Sequence, residues 1–310
     1  MNKREIVGYA LYQIGKFGRK EPDFLSIYFH DPAPKTFTSI LEWCKKKSYR
    51  FITLQECYAI LSGKIRQEGK VAYLSFDDGW QSNLNLIPII DKYQAPITIF
   101  VSIDPLLSGN FWWEYALADG IELRNKMKLM SYKKFVSSLE SLKKKYSLER
   151  SVLTEQELVK IASHPLVSIQ SHTMSHPILT NCDDEILSYE LNSSKAYLEN
   201  LLHHKIEAFS YPNGNFSNRE IEAVKKAGYK MAFTTEYIPI QINHTNLYRI
   251  PRMAMNTYGG YYENLSKILG IWQDILKKVK LLINTPSLKF LGGGVANHYI
   301  GLRTFWDRKC

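Results

Sequence analysis

Cysteine is scarce in this chain, and what there is does not pair. Cys44, Cys57, Cys182 and Cys310 are scattered through 310 residues without a Cys-x-x-Cys spacing. That pattern argues against a disulfide scaffold and reads as the reduced thiols of an intracellular protein. A chain of this length buries roughly three quarters of its unfolded surface and needs no covalent staples. Long apolar runs are also missing, so no stretch is expected to span a bilayer. The N-terminus, Met1-Asn2-Lys3-Arg4-Glu5, is charged, but Gly, Tyr, Gln and Lys interrupt the residues after it, and no secretory hydrophobic region forms. A cytoplasmic location is the resulting expectation. A basic nucleic-acid motif is absent too. The formal charge of +10 is spread through lysines, so no nucleic-acid partner is expected. The excess suits ordinary solubility, an anionic saccharide, or peripheral contact with the inner face of a negatively charged membrane.

What is present reads as alternating strands and helices. Residues 5–17 carry apolar positions near helical spacing, flanked by Arg4, Lys16, Arg19 and Lys20. They fit a helix packed on the body or one lying on a membrane, and packing is the simpler reading. Short strands are expected at 25–29, 50–53, 71–76, 96–101, 166–171, 206–211, 229–233 and 247–251. Helices are expected at 37–47, 82–93, 183–203 and 261–283. Thr53 with Glu56, Thr154 with Glu157 and Ser217 with Glu220 have capping-box spacing, and Gly228 suits a helix C-terminus. The lysine-rich stretch from about 104 to 163 reads as a helical insertion with a solvated face. The organisation is therefore an N-terminal helical segment (1–20), a main domain (21–262) carrying the insertion, and a C-terminal helix with an irregular tail (263–310). Strands alternating with helices imply βαβ units on a parallel sheet, and about seven of them suggest a barrel, closed or incomplete. Function then belongs at the C-terminal ends of the strands.

Two stretches at such ends carry chemistry. Val71 to Trp80 runs from an apolar strand into Asp77-Asp78-Gly79, with glycine allowing a sharp exit. Two adjacent carboxylates repel when buried unless a cation or a shared proton relieves them. One can hold a metal while the other moves a proton; a plain turn and helix cap is the competing reading. Ser171 to Pro177 places His172 and His176 four apart after a second apolar strand, a spacing that lets both imidazoles share one metal ion. Two histidines and a carboxylate leave coordination positions open for water and substrate, the arrangement of a hydrolytic centre. His30 and Pro212-Asn213-Gly214 also fall at expected strand ends.

Ser75-Phe76-Asp77-Asp78-Gly79 and Ser171-His172-Thr173-Met174-Ser175-His176 resemble the first two motifs of the polysaccharide deacetylases, the NodB-homology or carbohydrate esterase 4 family. The resemblance spans roughly residues 25–255. It implies a distorted (β/α)7–8 barrel and a hydrolase that removes N- or O-acetyl groups from saccharides with a divalent metal, commonly Zn2+, with Ni2+, Co2+ or Mn2+ as alternatives. A saccharide bearing N-acetyl groups is the implied partner and cell-envelope polysaccharide biosynthesis the implied setting; with no secretory segment expected, a lipid- or nucleotide-linked precursor fits better than a mature extracellular polysaccharide. By position, Asp77 is the general base and Asp78, His172 and His176 are the metal ligands. Phe209 to Gly214 resembles the third motif, which places Tyr211 and Asn213 at the substrate, with the Asn213 amide facing the oxyanion.

Two departures stand out. Ser210 occupies the approximate place of an arginine that many members carry, and no late Leu-His motif is present. A permuted branch that deacetylates poly-N-acetylglucosamine carries its acid histidine early, and Tyr28-Phe29-His30-Asp31 is similar to its Tyr-His-Asp stretch, which makes His30 the general acid. Arg249-Ile250-Pro251-Arg252 is similar to a late Arg-Pro-Arg segment, and Arg252 is the arginine expected to hold Asp77 ionised. Trp80, Trp112 and Trp113 suit either sugar stacking or the core. The competing functions are a non-catalytic saccharide-binding protein on the same fold and a metallohydrolase of another amide or ester.

Overall fold

The computed structural model describes residues 3–275, apart from 243, 258, 259 and 273. Eight strands alternate with helices: β1 (Phe24–Phe29), β2 (Tyr49–Ile52), β3 (Lys70–Asp78), β4 (Ile97–Val101), β5 (Val167–Ser171), β6 (Ala208–Ser210), β7 (Met231–Phe233) and β8 (Met253–Ala254). They form one curled parallel sheet in the order β7-β6-β5-β4-β3-β1-β8. β2 pairs with the first half of β3 and β4 with its second half, so β2 fills the lower part of the barrel. The strands are apolar on both faces because each is covered by helices or by the barrel interior.

The two edges of the sheet meet through one extended segment. Ile250 bridges Phe233 on β7, and four residues on, Ala254 pairs with Tyr28 on β1. The expected strand at 247–251 is therefore displaced to 253–254. Ile250 makes both ladder bonds to β7, donating to the Ala232 carbonyl at 2.9 Å and accepting from the Thr234 N–H at 2.8 Å; β7 ends at Phe233, and the chain beyond pairs with β1 instead. The expected helix at 82–93 is also divided. Gln81–Leu86 is a 3-10 turn and the α-helix begins only at Ile87. Pro88 in the interior of a longer helix would clash with the carbonyl four residues before it, whereas in a first turn its missing N–H costs nothing.

The capping boxes form as their spacing implies, at Thr53/Glu56, Thr154/Glu157 and Ser217/Glu220. The insertion is mainly helical, with helices at Ile103–Ser108, Trp112–Asp119, Ile121–Met127, Tyr132–Lys145 and Glu155–Ala162 and an irregular stretch over 146–154 in which Val152 bridges Trp80. The N-terminal helix, Lys3–Gly15, packs lengthwise on Tyr261–Ile268, with Tyr9 edge-on to Tyr262 at 4.8 Å. Cys44, Cys57 and Cys182 are buried free thiols. Among the described residues no helix is long and apolar enough to cross a membrane. The expected continuation of the last helix to 283, the irregular tail and Cys310 lie outside the described residues.

Candidate active site

Strand register brings the motifs together. Asp78 pairs with Val101, and Val101 with Ser171, so three neighbouring strands end at one level. His172 comes directly after Ser171, and its backbone N–H donates to the Val101 carbonyl at 2.9 Å. On the other side Phe29 pairs with Phe76, which puts His30 level with Asp77. Every group is thus delivered at the C-terminal rim of the barrel, the end where such folds place their chemistry.

The loops there are strained. Asp78, Thr173, His176 and Asn213 have φ of 81°, 74°, 55° and 55°, a region that non-glycine residues rarely adopt and β-branched threonine least of all. Asp78 is the last residue of β3, and its positive φ ends the alternation that would send its side chain away from that of Asp77. Asp78 consequently faces both imidazoles, while Asp77 faces Arg252. Gly79 has φ of 92°, and a Cβ there would meet Val101 at 3.2 Å.

Asp78, His172 and His176 form a buried triad whose ligand atoms all lie within 4.8 Å of one another. Asp78 Oδ1 is 3.5 Å from His172 Nε2 and 3.3 Å from His176 Nε2. The donor set fits a divalent cation. His172 Nδ1 sits 2.7 Å from the Ser210 carbonyl; a proton there leaves the Nε2 lone pair directed at the triad. Two imidazole nitrogens and one carboxylate oxygen are three protein ligands, the number found in catalytic rather than structural zinc sites. Burial opposes ionisation of Asp78, but hydrogen bonds from His172 and His176, with the nearby charge of His30, hold it well below the usual carboxylate range. Burial likewise lowers His176, against the pull of Asp78, and favours the neutral imidazole that a metal requires.

Asp77 has a different partner. Arg252 is fully buried and grips it through two parallel bonds, Nη1 to Oδ1 and Nη2 to Oδ2, each 2.7 Å. The same guanidinium donates to Ser75 Oγ at 3.0 Å and Ser210 Oγ at 2.6 Å, and lies over the Tyr28 ring at 4.4 Å. Burial raises the Asp77 carboxyl; Arg252, His172 and His30 outweigh it, and the net shift is downward. Ser210 is thus a hydroxyl that accepts from an arginine lying just before β8.

The remaining expected residues divide. His30 is half-buried at the rim, its ring 5.4 Å from Tyr28, and its carbonyl accepts from Asn83 Nδ2 at 3.0 Å. It lies close enough for its charge to lower both aspartates. Asn213 is exposed, and its side-chain oxygen accepts from Lys128 of the insertion at 3.1 Å. Tyr211 does not reach the site as a side chain. It is wholly buried, and its hydroxyl donates to the Tyr248 carbonyl at 3.1 Å, so the ring belongs to the core. Trp80 is more than a stacking surface: its Nε1 donates to Asp78 Oδ2 at 3.1 Å and fixes the oxygen that the imidazoles do not use. Trp112 is core, with its Nε1 on the His176 carbonyl at 3.0 Å. Trp113 remains half-buried beside the triad, its ring 4.7 Å from His176 and stacked on Phe111 at 4.4 Å.

The motifs alone do not reveal several supports. Ser102 Oγ donates to the His172 carbonyl at 2.6 Å, and Thr173 Oγ1 accepts from the His176 N–H at 3.0 Å. Ser75 had a usable signal, since on a strand it shares a face with Asp77 two residues on.

The chain is similar to several known proteins. A Bacillus subtilis polysaccharide deacetylase, YxkH, is 25% identical over 239 residues, covering 74% of this chain and 70% of its own length. The poly-beta-1,6-N-acetyl-D-glucosamine N-deacetylase of Staphylococcus aureus is 26% identical over 222 residues, 71% of this chain and 66% of that protein. Among solved structures, the Streptococcus pyogenes deacetylase PplD in complex with acetate superposes with a TM-score of 0.59 at 21% identity, covering 81% of this chain and 99% of that one. IcaB from Ammonifex degensii superposes with a TM-score of 0.57 at 17% identity, covering 79% and 98%. These likenesses bear out the NodB-type barrel. The defining pattern of the polysaccharide deacetylases matches residues 64–232, more than half of the chain, and on that ground the chain belongs to the polysaccharide deacetylase family.

Proposed function

We propose that this protein is a metal-dependent N-deacetylase acting on a saccharide that carries N-acetylhexosamine units, releasing acetate and a free amine. The observation that carries the reading is a buried Asp-His-His triad beside a second carboxylate that a buried arginine keeps ionised. A saccharide-binding protein would need neither the paired base nor the three ligands. The poly-beta-1,6-N-acetyl-D-glucosamine in the name of the similar staphylococcal protein supports the sugar class.

Asp78, His172 and His176 would hold the cation, with Zn2+ the best match to two imidazoles and a carboxylate and Ni2+, Co2+ or Mn2+ also compatible. When bound, a divalent cation there supplies Lewis acidity toward the acetamide carbonyl and toward water. Asp77 accepts the proton of the attacking water as the new C–O bond forms. Arg252 keeps Asp77 charged and fixes its orientation. The Asn213 amide donates toward the oxygen on which negative charge develops. His30, in its protonated form, gives a proton to the amide nitrogen as the C–N bond breaks. Trp80 and Trp113 line the approach.

The test is acetate release by the metal-loaded protein from N-acetylglucosamine oligosaccharides and from nucleotide- and lipid-linked N-acetyl sugars. Release that disappears in Asp77→Asn supports the reading. No release from any of these substrates overturns it.

A further inference from the structure

We infer that Glu190 is a positioning residue of the loop that carries His172 and His176, and that Tyr132 of the helical insertion shares in holding that loop. The inference rests on the reading of the triad as a metal site. Glu190 lies on the helix Asp184–Leu202 and is fully buried. Its Oε2 accepts the backbone N–H groups of Met174 and Ser175 at 2.8 and 2.9 Å. Its Oε1 accepts Ser175 Oγ at 2.6 Å and Tyr132 Oη at 3.2 Å. All four donors converge on one carboxylate, and two of them are the successive amides lying between the two histidines.

This loop needs an outside hold. Thr173 and His176 both have positive φ, so the backbone between the ligands is bent against its own preference. Its internal brace is the bond from the His176 N–H to Thr173 Oγ1. Without Glu190 the Met174 and Ser175 amides would lose their acceptor, and the loop would relax toward conformations that satisfy them. The imidazoles at its two ends would then lose their common focus. A buried carboxyl is an expensive way to fill space, and burial raises this one above its ordinary value while the bonds from Ser175 pull it back. Four converging donors give it a specific task. Tyr132 opens the insertion helix Tyr132–Lys145, so the placement of the insertion bears on the ligand loop through the same carboxyl group.

Zinc affinity, measured by competition with a chromophoric chelator, and amide hydrogen exchange at Met174 and Ser175 in the metal-free protein test this. Glu190→Ala is expected to weaken zinc binding by about 10–100-fold and to accelerate exchange at both amides, with circular dichroism unchanged. Glu190→Gln, which keeps an oxygen for the two N–H groups, is expected to recover most of both losses. Tyr132→Phe should show a smaller change in the same direction. Wild-type affinity and exchange in a folded Glu190→Ala protein overturn the inference. Should that variant not fold, Tyr132→Phe and Ser175→Ala decide: unaltered zinc affinity and exchange in both overturn it. Failure of the wild-type protein to bind zinc at all overturns the metal-site reading as well, and so separates the two.

Discussion

Arg252 and Asp77, 175 residues apart, form a bidentate ion pair in which neither side chain meets solvent appreciably. Arg252 lies outside the segment that matches the family pattern, and Asp77 inside it. The pair is made by tertiary contact alone. Arg252→Met should therefore change the pH profile as well as the rate. With the guanidinium gone, burial dominates and the Asp77 carboxyl rises, so the base is protonated at higher pH. The acidic limb of kcat/KM is expected to move to higher pH, and stability to fall by about 3–5 kcal/mol because one member of a buried pair is left alone. An unmoved acidic limb would separate Arg252 from the ionisation of Asp77.

His30 is assigned to protonation of the leaving amine, and that role has a chemical signature. His30→Ala is expected to lower kcat for acetamide substrates by about 10²–10⁴-fold. Hydrolysis of an aryl acetate, whose leaving group departs without a proton, should fall much less, and zinc affinity should stay the same. Equal losses on amide and ester would remove His30 from the proton-transfer role.

Metal binding should stabilise the fold, because the triad is assembled only in the native chain. At zinc one hundred times above Kd the gain is about 2.7 kcal/mol. Differential scanning fluorimetry is expected to show a rise in Tm with zinc for the wild-type protein and none for Asp78→Ala. Chelation should abolish acetate release and added metal should restore it. A Tm shift that survives Asp78→Ala would place the ion elsewhere.

Glu21 gives a pH test away from the site. A hydrogen bond from Lys47, with burial opposing and Lys70 assisting, brings its carboxyl down to about 2 from 4.5. A depressed folded value contributes stability above the unfolded value and loses it as pH falls from about 4.5 toward 2. Solvent screens this partly exposed pair, so Glu21→Gln should cost no more than about 1 kcal/mol at pH 7. Denaturation midpoints of the two proteins are expected to converge by pH 2, and a constant difference across the range would contradict the assignment.

Gly79 tests the turn that follows the aspartates. Alanine there must adopt φ of 92° and sit 3.2 Å from Val101. Gly79→Ala is expected to lose about 1–3 kcal/mol in chemical denaturation and to weaken zinc binding through displacement of Asp78. Full retention of both would show that the turn tolerates a side chain.

Local features were legible because local rules decide them. Thr53, Thr154 and Ser217 cap helices since each has a glutamate three residues on, and the apolar runs at 71–76 and 97–101 are buried strands since nothing charged interrupts them. The misplacements occurred where a neighbour intervened. Pro88 divides one expected helix, and the end of β7 at Phe233 leaves the chain past Ile250 to pair with β1. The tryptophans show the same limit: Trp112 and Trp113 are adjacent in an aromatic run, yet one is core and the other lines the site.

The sequence by itself determined the barrel, the strand-end location of the chemistry and the residue types of a metal centre, because hydrophobic period, capping and motif spacing are short-range properties. Only the tertiary structure decided the pairings. Parallel register set His30 beside Asp77, a chain crossing aimed Arg252 at that carboxylate, and a helix returned Glu190 to the loop between the histidines. Each joins groups far apart in the chain, and such contacts depend on closing long loops around a common core, which no local pattern encodes.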